Sequence, residues 1–162
     1  MTKSLTAVSV AMLMEEGKLA LTDPVSKYIP SFKNMQVAQV STGKDGKEVI
    51  NLVKADREIT IKDLATHTSG LGYWFLVPTD IQNIYLQDGM ADLEGLTNAE
   101  VCEKIAKLPL MENPGTLYRY GVNYDVLGRV VEIVSGMQLD RFFAERIYKP
   151  LKMKDSCRTT PN

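Results

Sequence analysis

Histidine occurs once in this sequence and cysteine only twice. His67, Cys102 and Cys157 stand far apart, so they cannot supply a ligand set for a metal ion. The two cysteines form no disulfide framework either, and free thiols are the expectation for both. No apolar run approaches the roughly 18 residues that a membrane helix needs. The stretch Leu5 to Met14 is too short, and Thr6 and Ser9 interrupt it. The charged, apolar, then cleavable pattern of a signal peptide does not occur. There are 19 basic and 20 acidic residues with no long basic run, which argues against nucleic acid as a partner. A G-x-S-x-G nucleophile elbow is missing, and so is a glycine-rich phosphate cradle. There is no internal repeat and no low-complexity tract. None of these patterns asks for a cofactor.

What is present suits one domain. The 162 residues are 44% hydrophobic and 24% charged, an ordinary balance for a chain that buries a core. Residues 4–16 read as a helix that is apolar on more than one face, which predicts burial between two layers, with Gly17 as its stop. Asp23-Pro24 and Ile29-Pro30 are turn signals. Residues 41–47 read as an exposed loop and residues 48–54 as a short strand. Thr60-Ile61-Lys62-Asp63 and Thr97-Asn98-Ala99-Glu100 have the form of capping boxes, each opening a helix. A further helix is expected over residues 79–86. Val126, Leu127, Val130, Val131 and Val134 mark one face of a helix ended by Gly136, and Leu139, Phe142, Phe143 and Ile147 mark a last one. The tail from Asp155 to Asn162 is polar. The chain is predicted to be mainly α, with little strand.

Three places could carry chemistry. Lys3 opens the first helix and fits the lysine position of an S-x-x-K motif, whose serine would be the residue before Met1. Positions i and i+3 share a helix face, so the amine reaches the hydroxyl. Partial burial would lower the lysine pKa and free the amine to take the serine proton. Ser4 cannot substitute, because it sits roughly 100° further round the helix. The bland alternative is a solvated surface charge. Tyr120 lies in the run Tyr118 to Asn123, and a tyrosine held near a lysine can act as general acid or base. The alternative there is a pair of half-buried aromatics ahead of a helix that Asn123 caps. The third place is His67-Thr68-Ser69-Gly70-Leu71, where a histidine bonded at a helix end is favoured over a triad.

The order of these segments adds to what each carries alone. Lys3 opening an apolar helix is followed by Glu16 to Leu19, Leu21 to Val25, Ile59 to Leu64, His67 to Leu71, Pro114 to Thr116 with Tyr120, Asp125 to Gly128, and Leu151 to Asp155. This series resembles the beta-lactamase-related serine hydrolases, which include class C beta-lactamases, DD-peptidases and family VIII carboxylesterases. The run Tyr120 to Gly128 looks closest to the esterase branch. Val122 stands at the third place of a Y-x-N motif, with Asn123 one position later, which argues against efficient beta-lactam hydrolysis.

The resemblance implies the following expectations. Lys3 and Tyr120 are the catalytic pair, and His67 is structural. The fold is the helical part of the beta-lactamase/transpeptidase-like α+β fold, with most of the antiparallel sheet missing. Residues 1–162 form a partial domain of central helix plus helical subdomain. The substrate is a small ester or amide, cleaved through an acyl-enzyme. The chain would lack both the nucleophile and the C-terminal motif, and would not be competent alone. The alternative is a non-catalytic subunit of a larger assembly, with a protein partner over the exposed first helix.

Overall fold

The computed structural model describes residues 2–42, 48–73, 75, 79–87, 90 and 93–156. Met1, Cys157, residues 43–47 of the expected 41–47 loop and the polar tail after residue 156 lie outside them, while Ser41 and Thr42 of that loop belong to a strand. Helix α1 spans Thr2–Glu15 and buries Thr6, Ser9, Val10 and Leu13. Its buried hydroxyls are satisfied internally: Thr6 donates to the Thr2 carbonyl at 3.3 Å and Ser9 to the Leu5 carbonyl at 2.8 Å. Val8 remains 48% exposed, so one face is covered rather than the two that were expected. Polar residues alternate with apolar ones here, and only one stripe meets the other helices.

Two 3₁₀ turns, Val25–Lys27 and Pro30–Phe32, follow. Then come β1 (Gln36–Thr42) and β2 (Glu48–Lys54), an antiparallel pair with Val37 opposite Val53 and Val40 opposite Ile50. The mainly α expectation is therefore corrected: helices and an antiparallel sheet both build the fold. Strand β2 has the boundaries read from its apolar run. Strand β1 was missed because Gln36, Gln39, Ser41 and Thr42 dilute its Val37, Ala38 and Val40. Tertiary pairing decided its state, with Leu110 donating to the Gln36 carbonyl at 2.7 Å and accepting from the Ala38 amide at 2.8 Å.

Helices α2 (Ile61–Ala65) and α4 (Asn98–Ile105) start at the expected capping boxes of Thr60 and Thr97. In α2 the Asp63 carboxylate also accepts two bonds from Arg57, at 2.6 and 2.9 Å. Burial raises the Asp63 pKa, but the Arg57 and Thr60 hydrogen bonds outweigh it and hold the carboxyl below its ordinary value. Helix α3 spans Thr79–Gln87, and α5 spans Asn123–Ser135. Val126, Leu127, Val130 and Val131 of α5 are fully buried, and α5 packs on α1, α2, α4 and α6. Gly136 ends it in the left-handed conformation, φ 69°. Helix α6 (Leu139–Phe143) runs on into a π-helical turn, Ala144–Tyr148, and Arg146 of that turn pairs with Glu16 beyond α1.

A backbone seam joins the segment after α2 to the segment before α5. Gly115 donates to the Thr68 carbonyl at 2.7 Å, Met111 to Gly70 at 2.8 Å and Arg119 to His67 at 2.7 Å. Side chains lock the same seam. Ser69 Oγ donates to the Asn123 side-chain Oδ1 at 2.5 Å, while Asn123 Nδ2 faces His67 Nδ1 at 3.1 Å and donates to the Leu71 carbonyl at 3.3 Å. Asn123 was expected to cap α5. Instead Val122 holds the cap position without a side-chain bond, and Asn123 is fully buried in the seam. The network assigns the His67 proton to Nε2, because the amide donates to Nδ1. Burial lowers the His67 pKa, and the nearby Lys3 charge lowers it further. At Gly121 the two segments touch. A Cβ there would overlap the Leu71 carbonyl oxygen and lie 2.7 and 2.8 Å from Gly72 Cα and C.

Two outcomes are expected. Gly121→Ala must part the seam and should lower stability by about 1–3 kcal/mol, read from urea unfolding; an unchanged midpoint would contradict the close approach. The single histidine makes NMR titration unambiguous, and its midpoint should lie below 6.5. The stability carried by the neutral ring is then full above 6.5 and is lost as pH falls toward the folded midpoint. In Lys3→Met the midpoint should rise yet stay below 6.5, since burial is the larger cause.

Candidate active site

Lys3 projects from the first turn of α1 toward the loop that precedes α5. Its Nζ lies 5.2 Å from the centroid of the Tyr120 ring. The seam brings Tyr120 there: the Arg119 amide and the Asn123 side chain, on either side of it, are both bonded to the 67–71 segment. The His67 ring packs on Tyr120 at 5.0 Å and on Tyr124 at 5.1 Å, which fixes the tilt of the phenol. Tyr124 is itself held by a 3.1 Å bond to the Ala65 carbonyl. Lys3 and Tyr120, far apart in sequence, are thus brought together, and His67 stands behind Tyr120 rather than beside Lys3.

A fourth ring belongs to this cluster, and no sequence pattern singles it out. Tyr73 meets Tyr120 edge-on at 5.6 Å, close enough for its field to reach Lys3. Its signal was its place directly after Leu71-Gly72, where the chain leaves the seam. Burial raises the Tyr73 pKa and the Asp125 charge adds to this, while Lys3 opposes both.

The charge state of Lys3 differs from expectation. Burial does pull its pKa down, but the Tyr120 hydrogen bond and the fields of Tyr73, Tyr120 and Asp125 outweigh that pull. The net direction is upward, so Lys3 is an ammonium at neutral pH. An ammonium cannot accept a proton, but it can stabilise negative charge on a neighbouring oxygen. The site therefore offers one fixed positive charge flanked by two phenols. Tyr120 is 43% exposed and Tyr118 is 68% exposed, so the cluster opens to solvent. Among the described residues no group of histidine, cysteine and carboxylates could hold a metal ion. Cys102 is buried, with its thiol pushed up to about 12 by desolvation, and takes no part.

Known proteins resemble this chain in sequence and in fold. Esterase EstB of Burkholderia gladioli is 34% identical over 156 residues, covering 95% of this chain and 36% of that protein. The ML-236A carboxylate methylbutanoyltransferase mlcH of Penicillium citrinum is 34% identical over 158 residues, covering 95% and 35%. The solved structure of simvastatin synthase (LovD) from Aspergillus terreus superposes with a TM-score of 0.72 at 31% identity, over 93% of this chain and 35% of that one. This likeness extends the correction to the fold class: helices and sheet together follow the architecture of that protein. The chain spans about a third of the length of the curated relatives it matches. The family profile described as Beta-lactamase matches residues 1–159, and the chain belongs to the beta-lactamase family.

Proposed function

We propose that this chain carries the lysine–tyrosine half of a serine hydrolase that cleaves esters through an acyl-enzyme. The observation that carries the reading is the Lys3 ammonium held against the Tyr120 phenol by a backbone seam. The similarity to an esterase and to acyltransferases supports esters over beta-lactams, as does Val122 at the third motif position. Residues 1–162 form part of the catalytic domain in this reading, and the nucleophilic serine precedes Met1 in the natural polypeptide.

The roles then divide by charge. Lys3 stays protonated and supplies the field. In the reacting form the pair is one proton short, so that Tyr120 is a phenolate beside the Lys3 ammonium, and it takes the serine proton to become the phenol as the serine oxygen bonds to the ester carbonyl carbon. It returns that proton to the departing alkoxide, leaving the acyl-serine. Water then attacks the acyl group by the same route and releases the acid. Tyr73, packed edge-on against Tyr120, adds to the field that keeps Lys3 an ammonium.

Turnover of p-nitrophenyl butyrate by the natural full-length protein tests this. Lys3→Ala and Tyr120→Phe should each lower kcat/KM by about 10²- to 10⁴-fold. Tyr73→Phe should cost about tenfold, since the Tyr120 bond to Lys3 survives. Activity that persists in both Lys3→Ala and Tyr120→Phe would remove the proposed roles. No turnover by the wild type would favour a non-catalytic subunit.

A further inference from the structure

Phe75 is 56% exposed, although its neighbours in space form an ordered aromatic cluster. Its ring lies nearly parallel to Tyr73, with centroids 5.1 Å apart and planes 11° from coplanar. Tyr73 in turn contacts Tyr120 at 5.6 Å, the ring whose centroid lies 5.2 Å from Lys3 Nζ. An apolar ring is thus held one stacking layer from the groups assigned to proton transfer. Stacking on Tyr73 sets the orientation in which Phe75 presents its apolar ring. That surface offers no hydrogen bond and no charge.

We infer that the stacked Tyr73–Phe75 pair is the subsite for an uncharged apolar substituent of the substrate, and that Phe75 sets chain-length preference. This rests on the reading of Lys3 and Tyr120 as the proton-transfer pair, because their position defines where the reacting carbonyl sits. An alkyl or aryl group attached to that carbonyl reaches Phe75 across Tyr73, whereas an acetyl group is too short. Each methylene laid on an apolar surface is worth roughly three- to fourfold in binding. Two methylenes fully covered would give about nine- to sixteenfold, and against a half-exposed ring the preference should be about three- to tenfold.

The test compares p-nitrophenyl acetate with p-nitrophenyl butyrate in the natural full-length protein, in Phe75→Ala and in Phe75→Leu. The butyrate-to-acetate ratio of kcat/KM should fall about three- to tenfold in Phe75→Ala and be largely kept in Phe75→Leu. An equal loss on both esters, or an unchanged ratio, would overturn the subsite. A second readout needs no turnover: ligand-observed NMR of butyrophenone and acetophenone, which are unreactive ketones. Wild type should bind butyrophenone several-fold more tightly, and Phe75→Ala should lose that preference. Equal affinities in wild type would overturn the subsite whether or not esters are cleaved. Absent turnover with the ketone preference intact would count against the hydrolase reading alone.

Discussion

The close approach of the Gly121 loop to Leu71 and Gly72 is the constraint on which the rest depends. Two irregular segments can lie this near only if one has no side chain and the backbone groups on both are paired. The amides of Met111, Gly115 and Arg119 supply that pairing, and Ser69 and Asn123 complete it in the interior. Asn123 spends its amide on the seam rather than on the end of α5. Loops carry many functional side chains, but a loop positions a group well only when the scaffold fixes it. Here the fixing element is a buried polar network in which each side chain has a partner; none of the buried side-chain polar atoms among the described residues lacks one.

The electrostatics of the site follow from that placement. Lys3 sits near enough to solvent to stay charged, and two phenols with Asp125 nearby strengthen the preference. Burial keeps the His67 ring neutral, and the same charge adds to that effect. A neutral imidazole that accepts from Asn123 can hold Tyr120 by packing without competing for the proton that Tyr120 is proposed to move. Burial and that one positive charge thus set the state of these groups, and the seam sets their distances.

Legibility in the sequence varied with how local the cause was. Both capping boxes and the Gly136 stop appear where the sequence put them, because a cap is decided within four residues. Strand β2 was readable from Val49, Ile50, Leu52 and Val53. Strand β1 was not, since its pairing with β2 and Leu110 is tertiary. The meeting of Lys3 with Tyr120 could be expected only through the family resemblance, for nothing local links residues so far apart. Tyr73 escaped notice because a tyrosine after Leu71-Gly72 carries no pattern of its own. The direction of the Lys3 pKa also escaped: burial was foreseen, but the phenols that reverse its effect are brought in by the fold.

The central claim is that Lys3 and Tyr120 serve a serine three residues before Lys3. Labelling the natural full-length protein with a fluorophosphonate, followed by mass mapping of the modified peptide, tests it most directly. The account predicts a single adduct on the serine that precedes Met1-Thr2-Lys3. An adduct on any other residue, or none under conditions that label an active serine esterase, would contradict it.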